Sequence, residues 1–441
     1  MKYVILFITI IFFPSCSFDN KTGIWNNEIK NVKNKNLFKD FEKLSSSNES
    51  FNKVVSFDKN FKLNITKPIS SSKWRDIYFD STNNFPHFKY NNGNKLKYKT
   101  NKLSNSNLDN HIFFIDKHII TSDFKGNIFI FSIEEDKLIS KFNFYKKKYK
   151  NIKKYLNLIV YKDVVYVSDN IGFLYALNFK TNKILWAKNH KIPFRSNLKV
   201  YKDKLIVANQ NNKLFFINRN NGEVLRLIPT EETLIKNNFV NNLSSNNIFT
   251  FFLNTYGSLY AVNNSSMEIE WFLNLNRSVN LNASNLFFGS KVISNNNLVI
   301  VSSDKFTYVI DAKNGNVLQK KNFSSIIKPI LIGNQLFLIS KNNLLISTNL
   351  IDGKIIFSYD INEEIKKFLN LKKKKKVVFR EIFFVNEKIF VFLFNSYLLK
   401  FNINGNLENV SKLPQKINSN IIFVDGSMLF INTRKKISII N

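Results

Sequence analysis

The sequence is poor in the residue types on which most enzyme and metal sites depend. It has one cysteine, four histidines and twelve glycines among 441 residues. A single cysteine excludes a disulfide within the chain and a cysteine-based metal centre. No glycine-rich phosphate loop or nucleophile elbow occurs. We therefore predict a protein that is not an enzyme, with no metal and no cofactor. The histidines, none of which has metal-ligand spacing, are His87, His111, His118 and His190.

Acidic residues are also scarce. Lysine and arginine together number 65 against 32 aspartates and glutamates, so the formal net charge is +33. The lysines are spread along the chain, with no zinc-ligand cluster and no RNA-binding aromatic motif, so we do not predict a nucleic-acid partner. Two interpretations of the charge stay open: a surface whose composition has drifted toward lysine, or attraction to an anionic membrane surface.

Long hydrophobic runs are missing except at the start of the chain. After Lys2, residues 4–13 form an apolar run of ten residues, and a bilayer span needs about 20. This pattern predicts a secretory signal peptide over residues 1–15. Phe13-Pro14-Ser15-Cys16 then resembles a bacterial lipobox, which implies lipidation of Cys16. The alternative is an incidental cysteine within an ordinary signal peptide.

The segment that follows differs in composition from the rest of the chain. Asparagine, lysine and serine dominate residues 16–68, which is typical of a polar linker. We predict a lipid-anchored linker there, with one short helix around residues 36–44. The folded domain is predicted to extend over residues 69–441.

A phrase of eleven residues recurs in the predicted domain. It extends from Ala176 to Trp186 and again from Ala261 to Trp271. Each copy follows a short hydrophobic run and a turn that contains Gly172 or Gly257. A phrase repeated every 40–50 residues or so indicates a repeat architecture.

Short β-branched and aromatic runs bounded by Asn, Gly and Asp turns predict strands and hairpins throughout the domain. Eight copies of one such run can be aligned, of which residues 128–131 are the first and residues 437–440 the last. We therefore predict an all-β, eight-bladed β-propeller of four-stranded antiparallel blades, or seven blades if one copy is miscounted. Because the last copy ends at the C-terminus, the strand that completes its blade is expected around residues 92–98.

The repeated phrase resembles the tryptophan-docking repeat of pyrroloquinoline-quinone-like propellers, with Asn178 and Asn263 in place of aspartate. The resemblance implies that Trp186 and Trp271 are structural and pack against the next blade. Two families carry this repeat: the quinoprotein dehydrogenases and the BamB lipoproteins of outer-membrane assembly. Trp74 and the following residues 83–87 also look like an N-terminal segment of the BamB family.

Resemblance to the BamB family implies a non-catalytic scaffold. Its expected partners are BamA and the other subunits of the β-barrel assembly machinery, within which the chain would be a monomer. Its expected location is the periplasmic face of the outer membrane, held there by a lipid anchor. Two alternatives stay open: a periplasmic quinone-dependent dehydrogenase, and a propeller that binds another component of the cell envelope.

The family resemblance also implies a partner-binding loop after an early docking tryptophan. Here the loop after Trp186 contains Pro193, Phe194, Arg195 and Ser196. An exposed apolar side chain beside an arginine is typical of an interface hot spot, and Pro193 would stiffen the loop. The alternative, which stays open, is an ordinary connection between blades with Phe194 buried in the core. The acidic companions predicted from the following connection are Glu231 and Glu232.

Overall fold

A computed structural model describes residues 50–58, 65–233, 240–276, 287, 289 and 291–441. These residues lie in one compact unit, Ser50–Asn441. They form eight β-sheets. The predicted signal peptide, Cys16 and the predicted helix around residues 36–44 lie outside the described residues. No helix in the described part of the chain is long and apolar enough to cross a bilayer.

The first strands contribute to blades that are completed later. These are β1 (His87–Phe88) and β2 (Leu96–Lys99). Blade 1 contains β3 (Leu108–Ile115), β4 (His118–Asp123), β5 (Asn127–Ser132) and β6 (Lys137–Asn143). Blade 2 contains β7 (Leu156–Tyr161), β8 (Val164–Asp169), β9 (Phe173–Asn178) and β10 (Lys183–Asn189). Blade 3 contains β11 (Lys199–Tyr201), β12 (Lys204–Ala208), β13 (Leu214–Asn218) and β14 (Val224–Ile228).

The next three blades repeat this antiparallel order. Blade 4 contains β15 (Asn242–Ser245), β16 (Phe249–Leu253), β17 (Ser258–Asn263) and β18 (Ile269–Asn274). Blade 5 contains β19 (Ile293–Ser294), β20 (Leu298–Ser302), β21 (Thr307–Asp311) and β22 (Val317–Lys321). Blade 6 contains β23 (Ile330–Ile332), β24 (Gln335–Ile339), β25 (Leu344–Asn349) and β26 (Ile355–Asp360).

The last two blades use the early strands. Blade 7 contains β27 (Phe379–Val385), β28 (Lys388–Leu393), β29 (Tyr397–Phe401) and β30 (Leu407–Lys412), with β1 added parallel to β27. Blade 8 contains β31 (Ile422–Val424), β32 (Ser427–Ile431) and β33 (Ile437–Ile440), and β2 completes it. Helix α1 (Ile361–Phe368) joins blades 6 and 7, and a 3₁₀ helix (Lys147–Tyr149) follows β6.

The predicted eight-bladed propeller and its closure are both confirmed. The second strand of each blade is buried along nearly its whole length, as in β16, because neighbouring blades cover both faces of the sheet. The fourth strand is mostly exposed in several blades, as in β10 and β14. At the closure, β2 pairs antiparallel with β33, so that Leu96 lies opposite Ile440 and Lys99 opposite Ser438. The closing strand therefore begins four residues later than the start of the predicted range.

The terminal aromatic residue of a blade packs on a glycine of the next blade. The indole of Trp186 covers Gly222 of blade 3, and its Nε1 donates to the carbonyl of Arg219 at 2.8 Å. Trp271 covers Gly315 of blade 5 in the same way. Phe357 of blade 6 covers Gly405 of blade 7, with no polar contact required of the ring. A Cβ at any of these glycines would overlap the ring, so the close approach depends on glycine.

The two glycines singled out in the sequence have a different role. Gly172 and Gly257 lie in the turns that precede the third strands of blades 2 and 4, where their φ angles are +101° and +86°. Neither receives a docking indole. A Cβ at Gly172 would lie against the backbone of Ile192, and one at Gly257 against Phe287. They allow tight turns beneath the connections between blades.

The described part of the predicted linker is bound to the propeller. Residues 50–58 lie beside blade 6, where Val55 and Ser358 exchange backbone hydrogen bonds of 3.0 and 2.9 Å. The Phe51 ring contacts Phe323 with 5.9 Å between centroids. This segment therefore covers the outer strand of blade 6, and the described residues of it are not a free tether.

Candidate functional site: the central channel and the connecting face

The chain blocks its own central channel. Residues 69–91, here called the plug segment, enter between the inner strands after the first described residues of the chain. Trp74 exchanges backbone hydrogen bonds of 2.6 and 2.9 Å with Phe114 of β3. In every blade, the plug segment bonds to the inner strand or to the turn after it. The blade residues in these bonds are Phe114, Val160, Lys199, Ser245, Ser294, Leu331, Asn386 and Asp425.

Asn83 is the central contact of the plug segment. Its Nδ2 donates to the carbonyls of Leu243 at 2.7 Å and Val292 at 2.8 Å, which belong to blades 4 and 5. Its Oδ1 accepts from Lys199 Nζ at 2.6 Å, which belongs to blade 3. The residue has a φ of +59°, a conformation that asparagine tolerates better than most residues. One side chain thus connects three blades across the channel.

A buried ion pair fixes the plug segment to blade 3. Lys199 Nζ lies 2.7 Å from Asp76 Oδ2, and the two side chains are 0% and 4% exposed. Burial raises the pKa of the Asp76 carboxyl, although Lys199 acts in the opposite direction. The remaining donors of Lys199 reach Asn83 and the carbonyl of Asp80. Because every proton of the ammonium has an acceptor, the pair is tolerated in the core.

Aromatic and histidine side chains fill the end of the channel where the plug segment enters. Trp74 is fully buried and stacks on Phe88 with 5.5 Å between ring centroids. His87 Nδ1 contacts the carbonyl of Thr66, and its Nε2 accepts from the Glu387 amide at 2.8 Å. Burial lowers the pKa of His87. This end of the channel is therefore a packed core, and its histidine is a neutral structural residue.

The opposite end of the channel contains a cavity. It has a volume of about 270 Å³ and lies where the inner strands of blades 5 to 7 begin. The plug segment contributes its floor, and the blades contribute apolar walls and several charged groups. The side chains that matter for its chemistry are Tyr78, Phe85, Lys291, Lys328, Arg380 and Glu381.

Lys328 is the unusual cation of this cavity. Its Nζ is buried and has no hydrogen-bond partner among the described residues. It lies 3.3 Å from the centroid of the Phe85 ring, which gives a cation–π contact. Burial lowers its pKa to about 7, although Glu381 and Asp80 act in the opposite direction. The group therefore loses its proton much more readily than an exposed lysine does.

The acidic group of the cavity is similarly perturbed. Burial raises the pKa of Glu381 to about 7, although the amide of Ile421, which donates to it at 3.0 Å, acts in the opposite direction. Beside it, Arg380 donates to the carbonyls of Ile417, Asn418 and Ser419 at 3.1–3.3 Å. Its Nε has no partner within the described ranges.

The lowered pKa of Lys328 predicts a pH dependence of stability. The unfolded chain binds this proton up to pH 10.5 or so, whereas the folded chain loses it near pH 7. The unfolded state therefore binds more protons between these values, and stability rises with pH there, by at most about 1.4 kcal/mol per pH unit for one group. We expect the free energy of unfolding of the natural chain to rise relative to that of Lys328→Met from pH 7 to pH 9. Urea unfolding of both proteins tests this, and parallel pH profiles would contradict it.

The predicted partner-binding loop lies on the face that carries the connections between blades, here called the connecting face. Its backbone is held at several points. The Phe194 amide donates to Asp169 at 2.9 Å, and the Arg195 amide donates to Ala208 at 3.1 Å. The Ser196 hydroxyl accepts from the Ala208 amide at 2.8 Å. The loop is therefore ordered before any partner binds.

The aromatic side chain of this loop is buried. Phe194 is 1% exposed and packs between His190 and Phe215, with ring centroids 5.3 and 6.3 Å away. Of the two interpretations left open for Phe194, the structure agrees with the buried one and not with the exposed one, because the ring fills the junction between blades 2 and 3. Ser196 is buried as well. Pro193 and Arg195 remain partly exposed.

The charged groups near this loop are arranged as follows. The Nε of Arg195 is buried without a partner among the described residues. Glu232 is exposed and lies 3.1 Å from Lys213 Nζ. Glu231 accepts from the Ser258 hydroxyl at 2.9 Å and so attaches to blade 4. Both glutamates precede β15, in the next connection on the same face.

Comparison with known proteins identifies the family. Residues 126–359, more than half of the chain, match the family described as outer membrane protein assembly factor BamB. This chain belongs to the BamB family. It is also 27% identical over 402 residues to an uncharacterised protein of Rickettsia conorii, a match that covers 85% of this chain and 92% of that protein.

Solved structures share the fold of this BamB-family chain. BamB from Moraxella catarrhalis superimposes with a TM-score of 0.59 at 11% identity, over 79% of this chain and 99% of that one. The quinohemoprotein alcohol dehydrogenase of Comamonas testosteroni gives a TM-score of 0.56 at 10% identity, over 84% and 80%. At such identities, these likenesses establish the fold alone.

The cavity does not suit the calcium that the dehydrogenase alternative implies. Calcium takes about six to eight oxygen ligands, and Glu381 is the one carboxylate of the cavity among the described residues, where Lys291, Lys328 and Arg380 surround it. No group of three His, Cys, Asp or Glu in the described ranges is placed to hold a metal. The donor set of this BamB-family channel therefore favours an anion over a cation.

The charged residues of the channel carry no motif in the sequence. Lys199 stands between apolar residues at the start of β11, and Arg380 and Glu381 stand together in β27, whose other residues are apolar. A charge inside an inner-strand pattern is a signal of a buried polar contact. The sequence does not show which residues meet these charges, because their partners are distant along the chain.

Proposed function

We propose that this BamB-family protein is a non-catalytic scaffold of the outer-membrane β-barrel assembly machinery. Its partner is the periplasmic POTRA region of BamA, and its role is to aid the insertion of outer-membrane proteins. Family membership over residues 126–359 supports the general role. The plug segment supports the scaffold interpretation, because it occupies the channel with the chain's own residues.

The proposed binding surface is the connecting face around Arg195. The observation that carries it is a partly exposed arginine on a loop whose backbone is already ordered. Arginine is enriched in interface hot spots because it forms several directed hydrogen bonds. A pre-ordered loop loses little conformational entropy on binding. Pro193, Glu231 and Glu232 complete this surface, whereas Phe194 and Ser196 support it from beneath.

The proposal includes attachment to the membrane. Lipidation of Cys16 would hold the chain at the periplasmic face of the outer membrane, since an anchor with two or more acyl chains binds stably. The chain acts as a monomer within the complex. Metabolic labelling with palmitate, compared between the natural chain and Cys16→Ala, tests the anchor: label that persists in Cys16→Ala contradicts it.

Replacement of Arg195 by glutamate is expected to reduce BamA recovery about tenfold or more, because it puts a carboxylate where the interface needs a donor. The measurement is co-purification of BamA with the tagged full-length chain from detergent-solubilised envelopes. Arg226→Glu is the matched control, since Arg226 is a 49% exposed arginine on β14, the outer strand of blade 3, away from the loop that contains Arg195.

The outcomes separate the surface from the function. Loss of BamA with Arg195→Glu but not with Arg226→Glu supports both, provided that the variant retains the circular dichroism spectrum of the natural chain. Equal recovery of BamA with both variants rejects Arg195 as part of the binding surface but does not contradict the proposed scaffold function. Absence of BamA from the natural chain's eluate rejects the function.

A further inference from the structure

The cavity at the open end of the channel has features of a ligand site that the scaffold role does not use. The cavity and Arg195 belong to different blades. The cavity lies between the beginnings of the inner strands of blades 5 to 7, whereas the loop that contains Arg195 joins blades 2 and 3. Its volume of about 270 Å³ is just below the range of about 300–1,000 Å³ that is typical of small-molecule pockets. A ligand of this cavity is therefore small.

The charges of the cavity favour an anion. Lys291, Lys328 and Arg380 face a single carboxylate, Glu381, among the lining residues. Two of these cations keep unused donors within the described ranges: Lys328 Nζ has no partner, and Arg380 Nε has none. An unpaired buried ammonium is costly unless an anion meets it. The carboxylate cannot fill this role for all three cations.

The walls of the cavity specify the rest of the ligand. Tyr78 and Phe85 form an aromatic floor, and Ile326, Ile327 and Ile382 add apolar surface. Burial of an aromatic or alicyclic group against these walls is favourable because it removes apolar surface from water, whereas a polar group would find no hydrogen-bond partner there. A ligand with one anionic end and one apolar end satisfies both groups of side chains.

We propose that the cavity binds a small organic carboxylate, with its carboxylate at Lys328 and the neighbouring cations and its apolar body against Tyr78 and Phe85. The ligand replaces the missing acceptor of Lys328, because a carboxylate accepts charge-assisted hydrogen bonds from ammonium and guanidinium groups. This inference does not depend on binding of BamA.

The charged groups around Lys328 should make binding of the carboxylate depend on pH. Glu381 faces Lys328 from blade 7, and Asp80 and Lys199 face it from the plug segment and blade 3. Arg380 and His111 in turn face Glu381. The pKa values of Lys328 and Glu381 are both about 7. Below pH 7 Lys328 becomes charged and Glu381 becomes neutral, so the cavity becomes more positive and the affinity for an anion rises.

The test is a titration of the full-length chain with benzoate and cyclohexanecarboxylate, followed by calorimetry at pH 6 and pH 8. Both acids are ionised at these pH values, so any change in affinity comes from the protein. We expect saturable binding that is about tenfold tighter at pH 6, and binding of the neutral isostere benzamide that is at least about tenfold weaker than that of benzoate.

Two variants with opposite expected effects keep the test decisive. Lys328→Met removes the central cation and should weaken benzoate binding at pH 6 about tenfold, whereas Glu381→Gln removes the competing carboxylate and should strengthen binding at pH 8. The control is Lys341→Met, which alters an exposed lysine paired with Asp304 outside the cavity. Absence of saturable binding by either acid overturns the proposal, as does equal binding by Lys328→Met and Lys341→Met.

Discussion

Replacement of Lys199 by methionine is expected to lower the free energy of unfolding by about 3–5 kcal/mol, because it leaves the buried Asp76 carboxylate without its cation. The pair lies 2.7 Å apart with both side chains almost fully buried. Asn83 and the carbonyl of Asp80 lose their donor at the same time. The measurement is equilibrium unfolding in urea at pH 7, monitored by circular dichroism.

A matched control and a compensating change define this prediction. Lys388→Met breaks a surface ion pair with Glu408, whose two side chains are 43% (Lys388) and 37% (Glu408) exposed. This change should lower the free energy of unfolding by no more than about 1 kcal/mol. Adding Asp76→Asn to Lys199→Met should restore part of the lost stability, since no unpaired charge remains buried. A cost for Lys199→Met equal to that of Lys388→Met would show that the ion pair does not hold the plug segment in place.

Replacement of Trp186 by alanine is expected to cost about 3–5 kcal/mol. The indole is 8% exposed, covers Gly222 of the next blade and donates to the carbonyl of Arg219 at 2.8 Å. Alanine would leave a cavity at the junction between blades 2 and 3 and an unpaired carbonyl beside it. Urea unfolding with the same circular dichroism signal measures the effect.

The neighbouring residue provides the control for this second prediction. Leu185 precedes Trp186 on the same strand but is 53% exposed, so Leu185→Ala should change stability by no more than about 0.5 kcal/mol. Trp186→Phe should fall between the two, because the ring area is largely kept and the hydrogen bond is lost. If Trp186→Ala and Leu185→Ala cost the same, docking of the indole does not stabilise the junction.

The repeat pattern was enough to predict the architecture. Alternating apolar runs and polar turns indicate four-stranded units, and units with two apolar faces can be stable only when they stack on neighbours. The position of the closing strand followed from the same reasoning, because a ring must pair its last blade with an early segment. The glycines that receive the docking rings, such as Gly222 and Gly315, keep the repeat spacing but show their role only when the next blade is in place.

The candidate sites were less accessible from the sequence. A surface position and a core position both stayed open for Phe194, because an apolar residue beside an arginine has the same sequence signature whether it faces solvent or a neighbouring blade. The cavity groups Lys328 and Glu381 carry no motif at all. Their perturbed pKa values come from burial, which depends on what the plug segment and the blades exclude together.

The sequence by itself determined the kind of protein: a repeating β chain with one cysteine, at Cys16, whose blades must close into a ring. Hydrophobic period and turn chemistry act over a few residues, and so they can be read locally. Only the tertiary structure decided that residues 69–91 cross the channel and that Asp76 meets Lys199, 123 positions away. Contacts of that kind arise from closure of the ring, which brings the inner strands of all the blades around one axis.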